Sequence, residues 1–151
     1  MDVFGIGPRI AAGGVLSFAA TSMIGLKSER INYGFAPRII TTILGTALVI
    51  VGVYFWLDSV RLIATRFKSG VLITEGAYRF VRNPMYAAFI VFIVPGISLL
   101  LNNPWIILSS IVMLLVFKTG IHKEEQYLKQ QFGAAYENYT SKVKQIIPFV
   151  W

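Results

Sequence analysis

Cysteine is absent from the sequence, and histidine occurs once. The first absence removes disulfides, thiolate nucleophiles and cysteine metal sites, and says nothing about redox compartment. The second leaves histidine unable to make a zinc site alone. Charge is scarce as well: 14% of the residues are charged, while 56% are hydrophobic. A soluble domain carries about a quarter charged residues, so this composition points to helices embedded in a membrane. Acidic residues are fewer still, 7 against 14 lysines and arginines, for a net charge of +7. A chain this apolar is not a nucleic-acid module. Its basic excess fits loops that face an anionic lipid leaflet. Internal repeats and low-complexity segments are also missing, and 151 residues suit one domain.

What the chain has instead is four apolar segments: Pro8 to Leu26, Ile39 to Leu57, Met85 to Leu101, and Trp105 to Phe117. Each is near the short end of the ~20 residues that cross a bilayer. Asp2 and the lack of a basic cluster before the first run argue against a cleaved signal peptide. Only "LNNP" separates the last two segments, so they are expected to form a tight helical hairpin. Gly13-Gly14, Gly45 and Gly52 read as points of close helix packing. Pro95-Gly96 predicts a bend in the third span. Asp58 reads as an interfacial charge at the end of the second.

With four spans, the N-terminus, the middle loop and the C-terminal region share one side. That side holds 11 of the 14 basic residues, and only Lys27, Arg30 and Arg38 lie opposite. The positive-inside rule therefore predicts cytoplasmic termini and a cytoplasmic middle loop. The lack of targeting features fits a prokaryotic inner membrane.

Two polar stretches stand out. "EGAYRFVRNPMY", residues 75–86, lies at the start of the third span. Asn83-Pro84 reads as a helix start, with Asn capping and Pro in the first turn. Asn103-Pro104 does the same for the fourth span, without the arginines and tyrosines. The first copy's Gly76, Tyr78, Arg79, Arg82 and Tyr86 therefore need a further reason: a headgroup-level belt or a ligand site. The second stretch is "HKEEQYLKQQFGAAYENYTSKVKQIIP", residues 122–148. Ile121, Leu128 and Phe132 continue the helical stripe of Leu114 and Phe117, flanked by Glu124 and Glu125. Glu125 has Lys129 one turn on. Glu124 lacks a basic neighbour on its own helix and is expected to meet a cation elsewhere, Arg82 or a ligand. His122 points away from the stripe. Gly133 is expected to end the helix. Tyr136, Tyr139, Val143 and Ile147 mark one face of another helix, lying on the membrane surface.

Gly76-x-Tyr78-x-x-x-Arg82-Asn83-Pro84-x-Tyr86, followed by Glu124-Glu125-x-x-Leu128-x-x-x-Phe132-Gly133-x-x-Tyr136-x-x-Tyr139-x-x-x-Val143 and Ile147-Pro148, resembles the isoprenylcysteine carboxyl methyltransferases and phospholipid methyltransferases. These are integral membrane enzymes, and the resemblance covers roughly residues 70 to 148. The isoprenylcysteine enzymes usually carry histidine where this chain has Asn83. "NPMY" is closer to the phospholipid N-methyltransferases and many bacterial members.

The resemblance implies an all-α polytopic membrane protein with about four transmembrane helices, a C-terminal helical hairpin and cytoplasmic amphipathic helices. Residues 1–69 would supply two spans and 70–151 the cofactor-binding half. It implies an S-adenosylmethionine-dependent methyltransferase that acts at the cytoplasmic face. The cofactor's carboxylate suits Arg82 and the amides at the Asn83-Pro84 helix start. Its ammonium or ribose hydroxyls suit Glu124 and Glu125. Tyr78 or Tyr86 would face the sulfonium, and Gly76 would let backbone approach the ligand. Arg82 is also the candidate catalytic residue, orienting an acceptor carboxylate. A lipophilic acceptor would enter from the bilayer between the spans, and an already activated sulfonium calls for no metal. Two other readings remain. Membrane sterol reductases share a similar "GxYRxxRNPxY" stretch and use NADPH, but generally lack the Glu-Glu pair. A non-enzymatic membrane protein could keep the same fold.

Overall fold

A computed structural model of the protein describes residues 7–27, 37–66 and 70–147. The readings of Asp2, Arg30, Lys68 and Pro148 lie outside these residues. All four apolar segments are helical. Helix α1 is Gly7–Lys27 and α2 is Arg38–Arg66. Helix α3 is Pro84–Leu100, α4 is Pro104–Phe132, and a short α5 is Ala134–Lys142. Among the described residues strand-like pairing is limited to one isolated bridge, Val81 to Lys144.

Helices α2 and α4 are each long and apolar enough to cross a membrane, whereas the apolar runs of α1 and α3 are shorter. Apolar side chains also point outward. Leu16, Ile39 and Ile50 are 72%, 71% and 64% exposed. Water would penalise such surfaces, and lipid accepts them.

The helices pack as two antiparallel pairs. On the α1–α4 side, Gly14 lies against Met113, and the Thr21 and Ser109 hydroxyls meet at 3.0 Å. On the α2–α3 side, Gly45 and Gly96 bring the two backbones together. A Cβ at Gly45 would stand 2.8 Å from the Gly96 carbonyl oxygen, and one at Gly96 would stand 2.9 Å from that of Gly45. Gly52 is as tight, with Ile93 Cγ1 at 2.6 Å from its added Cβ. Small residues thus replace the hydrophobic drive that is missing in lipid with close backbone contact. Gly45→Val is expected to cost about 1–3 kcal/mol, since backbone cannot yield to the new side chain. Thermal unfolding in detergent would show it, with Gly13→Ala as the mild control, because its Cβ would meet only Val116 at 3.5 Å.

Three local features differ from the sequence reading. First, α2 does not end at Leu57. It continues to Arg66, with Asp58, Ser59 and Leu62 on its buried face. Second, α3 widens into a π turn at Ala88–Ile93, just before Pro95. A proline in a helix clashes with the carbonyl four residues back, and the wider turn lies where that clash would fall. Third, the last helix stops at Lys142. Val143 is extended, and the tail pairs with the segment before α3 through Arg82 N–H to Lys144 O (2.7 Å) and Asn83 N–H to Gln145 O (3.0 Å). Gly133, at φ +51°, ends α4 as expected.

Candidate active site

The site is built around one short segment. Residues Gly76–Arg79 form a 3₁₀ turn after α2, and Phe80–Asn83 lead into α3. Gly76 has φ +58°, a conformation open to glycine at little cost. An added Cβ there would collide with the Asp58 carboxylate, so Gly76 faces α2. Asp58 is only 8% exposed, and its Oδ2 accepts the Ala77 N–H at 2.7 Å. Its Oδ1 accepts from Arg61 at 2.8 Å. Asp58 is therefore a buried anchor for the turn, where the sequence suggested an interfacial charge.

Asn83 precedes α3 but does not cap it through its side chain. Its Nδ2 points to Gln145 O at 3.5 Å. The cap expected at Asn103 does form, its Oδ1 accepting the Trp105 N–H at 3.1 Å. The tail explains the difference, because Lys144 and Gln145 run alongside Arg82 and Asn83 and draw their polar groups away from the helix axis. Pro84 is buried in the first turn of α3.

The carboxylates partner differently from the helical-neighbour rule. Arg82 pairs with Glu125, Nη2 to Oε1 at 3.2 Å, with both side chains largely buried. Glu125 also accepts from Gln145 Nε2 at 2.9 Å. Glu124 accepts from the Tyr86 hydroxyl at 3.0 Å. Lys129 turns from Glu125 to Glu137 on α5, at 2.8 Å. That contact raises the lysine's pKa and lowers the glutamate's, chiefly through the hydrogen bond. It is exposed, so it adds little to stability.

Tyrosines close the site. Tyr139 donates its hydroxyl to the Tyr78 carbonyl at 2.6 Å. Tyr136 and Tyr139 are buried, so the aromatic face of α5 is covered by protein. Burial, with the nearby Glu125 carboxylate second, pushes the Tyr136 phenol up to about 12. Burial also pushes Tyr78 and Tyr139 upward. All three phenols are neutral at physiological pH. The Tyr86 ring packs on Phe117, centroids 5.4 Å apart, which fixes the hydroxyl on Glu124. Tyr86→Phe is expected to destabilise by about 1 kcal/mol. Cofactor affinity should fall with it, measurable by calorimetry beside the melting temperature.

Two adjoining clefts meet at Arg82, His122 and Thr140. One, of 240 Å³, is completed by Glu125, Gln126, Lys129, Tyr136 and Glu137. The other, of 450 Å³, is completed by Lys118, Ile121, Lys144 and Gln145. Small-molecule pockets run from roughly 300 to 1,000 Å³, a range that includes the larger cleft. Of the eight expected site residues, Arg82 and Glu125 line the clefts. Gly76, Tyr78, Asn83, Pro84, Tyr86 and Glu124 form the surrounding framework. His122 is exposed, as its pattern suggested, yet it lines both clefts. Lys144 and Gln145 reach the site through tail pairing that no sequence pattern announces. The Arg82 Nε is buried and makes no hydrogen bond. The guanidinium lines both clefts, and a carboxylate is the best geometric match to it.

A cation, carboxylates and aromatic rings are gathered at one end of apolar helices, two of which are long and apolar enough to cross a membrane. The phospholipid methyltransferase family matches residues 40–135, and this chain belongs to it. Among curated relatives, protein-S-isoprenylcysteine O-methyltransferase B of Arabidopsis thaliana is 35% identical over 122 residues, covering 79% of this chain and 59% of the relative. The Saccharomyces cerevisiae protein-S-isoprenylcysteine O-methyltransferase is 33% identical over 132 residues, covering 79% of this chain and 53% of its own. The Schizosaccharomyces pombe enzyme of that name is 38% identical over 85 residues, 56% of this chain and 36% of its own. The chain thus spans about half the length of these relatives or less. No solved structure matches.

Proposed function

We propose that the protein transfers a methyl group from S-adenosylmethionine to a lipophilic acceptor at the cytoplasmic face of a membrane. The observation that carries this reading is the Arg82 guanidinium. It stands where the two clefts meet, with one arm on Glu125 and its Nε buried without a partner. The cofactor's carboxylate fits Arg82, and its ammonium or ribose hydroxyls fit the carboxylates of Glu125 and Glu124. Bound, it supplies a methyl group already activated on a sulfonium. The chain's own work is to bind, orient and exclude water. Neutral tyrosines suit a cationic ligand, since their ring faces attract positive charge and carry none. Tyr136 walls the smaller cleft.

Membership of the family supports a methyl acceptor, and the relatives named for S-isoprenylcysteine O-methylation support a lipidated one. Its apolar chain would reach the site from the bilayer, between the helices. The 81–83 segment, α4 and the tail contact one another. The 11 basic residues assigned to the side of the N-terminus, middle loop and C-terminal region favour four spans with both termini cytoplasmic.

The test is calorimetry on the detergent-purified protein, with S-adenosylmethionine and NADPH titrated separately. Saturable binding of S-adenosylmethionine, weakened in a folded Glu124→Ala/Glu125→Ala variant, is the expected result. Binding of NADPH alone would overturn the methyltransferase reading.

A further inference from the structure

We propose that Asp58 and Tyr139 are positioning residues that grip the Gly76–Arg79 turn from two separate helices and thereby set the place of Arg82. The cofactor-affinity part of the proposal rests on the methyltransferase reading above; the grip itself does not.

Asp58 is the one acidic residue of α2 and lies on its buried face. A buried carboxylate is costly unless it is paired or hydrogen-bonded. Its partner Arg61 is 70% exposed, so that pair is screened and weak. The stronger compensation is the buried hydrogen bond from the Ala77 N–H, 2.7 Å long and charge-assisted. Gly76 leaves room for it, because any Cβ would occupy the place of the carboxylate.

Tyr139 holds the same turn from α5. Its hydroxyl meets the Tyr78 carbonyl at 2.6 Å, one residue beyond the Asp58 contact. A backbone N–H and a backbone carbonyl of one short turn are thus held by side chains from opposite halves of the chain. Arg82 lies four residues beyond Tyr78. Between them the Phe80 and Val81 N–H groups both donate to the Ala77 carbonyl, Val81 is fully buried, and the Arg82 N–H is fixed to the Lys144 carbonyl. A shift at Ala77 or Tyr78 has little slack to dissipate before it reaches the guanidinium. The sequence registered Asp58 as the polar end of a span and Tyr139 as part of an aromatic face. Their convergence on one turn is a property of the fold.

The test compares Asp58→Ala, Asp58→Asn, Tyr139→Phe and Arg61→Ala in the full chain in detergent. Hydrogen exchange, melting temperature and S-adenosylmethionine affinity are read for each. Losing either grip should speed exchange at residues 76–83 and weaken cofactor binding, each by about tenfold. Exchange in α1 and in the core of α4 should stay at the wild-type rate, and the melting temperature should fall only slightly. Asp58→Asn keeps an acceptor oxygen and should restore most of both readouts. Arg61→Ala should match wild type.

Wild-type exchange at 76–83 in both Asp58→Ala and Tyr139→Phe would overturn the proposal. So would equal acceleration throughout the chain, or Asp58→Asn behaving like Asp58→Ala. Should Asp58→Ala fail to fold, Tyr139→Phe decides, since it removes one hydroxyl at the protein's polar end. If wild type binds no S-adenosylmethionine, the cofactor reading fails alone, and the exchange pattern still decides the grip.

Discussion

Arg82→Ala is expected to abolish measurable S-adenosylmethionine binding, with a loss of at least about 100-fold. Two effects add. The variant removes the cation that lines both clefts, the group best suited to an incoming carboxylate. It also breaks the Arg82–Glu125 pair, whose side chains are 16% and 21% exposed. Glu125 would keep its hydrogen bond from Gln145 but lose its counter-charge. Uncovering a largely buried charge costs about 3 kcal/mol, so the melting temperature should fall as well. Arg82→Lys separates the two effects. Lysine restores the charge and much of the stability, but it lacks the planar fork that engages a carboxylate with two parallel hydrogen bonds. Binding should recover only in part. The check is calorimetry beside thermal unfolding. Wild-type affinity in folded Arg82→Ala would remove Arg82 from the site.

Much of this centre is legible in the sequence, because helix starts and stops are local. Pro84 and Gly133 mark their boundaries through fixed backbone preferences. The glycines of α2 and α3 mark close approach because only packing explains them in apolar helices. Pairing is not local, and there the sequence reading fails. Lys129 is one turn from Glu125, yet Gly133 reverses the chain and brings Glu137 nearer. Arg82 then takes Glu125, and Glu124 meets a tyrosine hydroxyl. Asp58 misleads for a related reason. Hydropathy falls at Leu57, but the helix continues to Arg66, and a turn 19 residues beyond Asp58 returns a backbone N–H to its carboxylate. Likewise, the tail leaves the helical pattern at Val143 to pair with Val81 and Arg82, partners about 60 positions earlier and invisible to any periodic window.

Gly76→Ala carries the second large expectation, and it distinguishes two uses of one glycine. If Gly76 served ligand approach, a methyl group there would weaken cofactor binding and leave stability nearly intact. The structure turns this glycine toward α2, where a Cβ would strike the Asp58 carboxylate and stand 2.9 Å from Leu62 Cδ1. Asp58 cannot swing aside without losing the Ala77 N–H and the Arg61 contact. The residue must also hold φ +58°, where alanine pays about 1–2 kcal/mol. Overpacking adds about 1–3 kcal/mol, so the total cost is about 3 kcal/mol. Stability and cofactor affinity should fall together, because the turn must move and Arg82 moves with it. Gly70→Ala supplies the control. Its φ of +64° imposes the same backbone strain, but nothing lies within 4 Å of its added Cβ. The difference between the two variants in thermal unfolding therefore isolates the collision with Asp58. Equal destabilisation in both would leave backbone strain as the whole cost and would deny the contact any energetic weight.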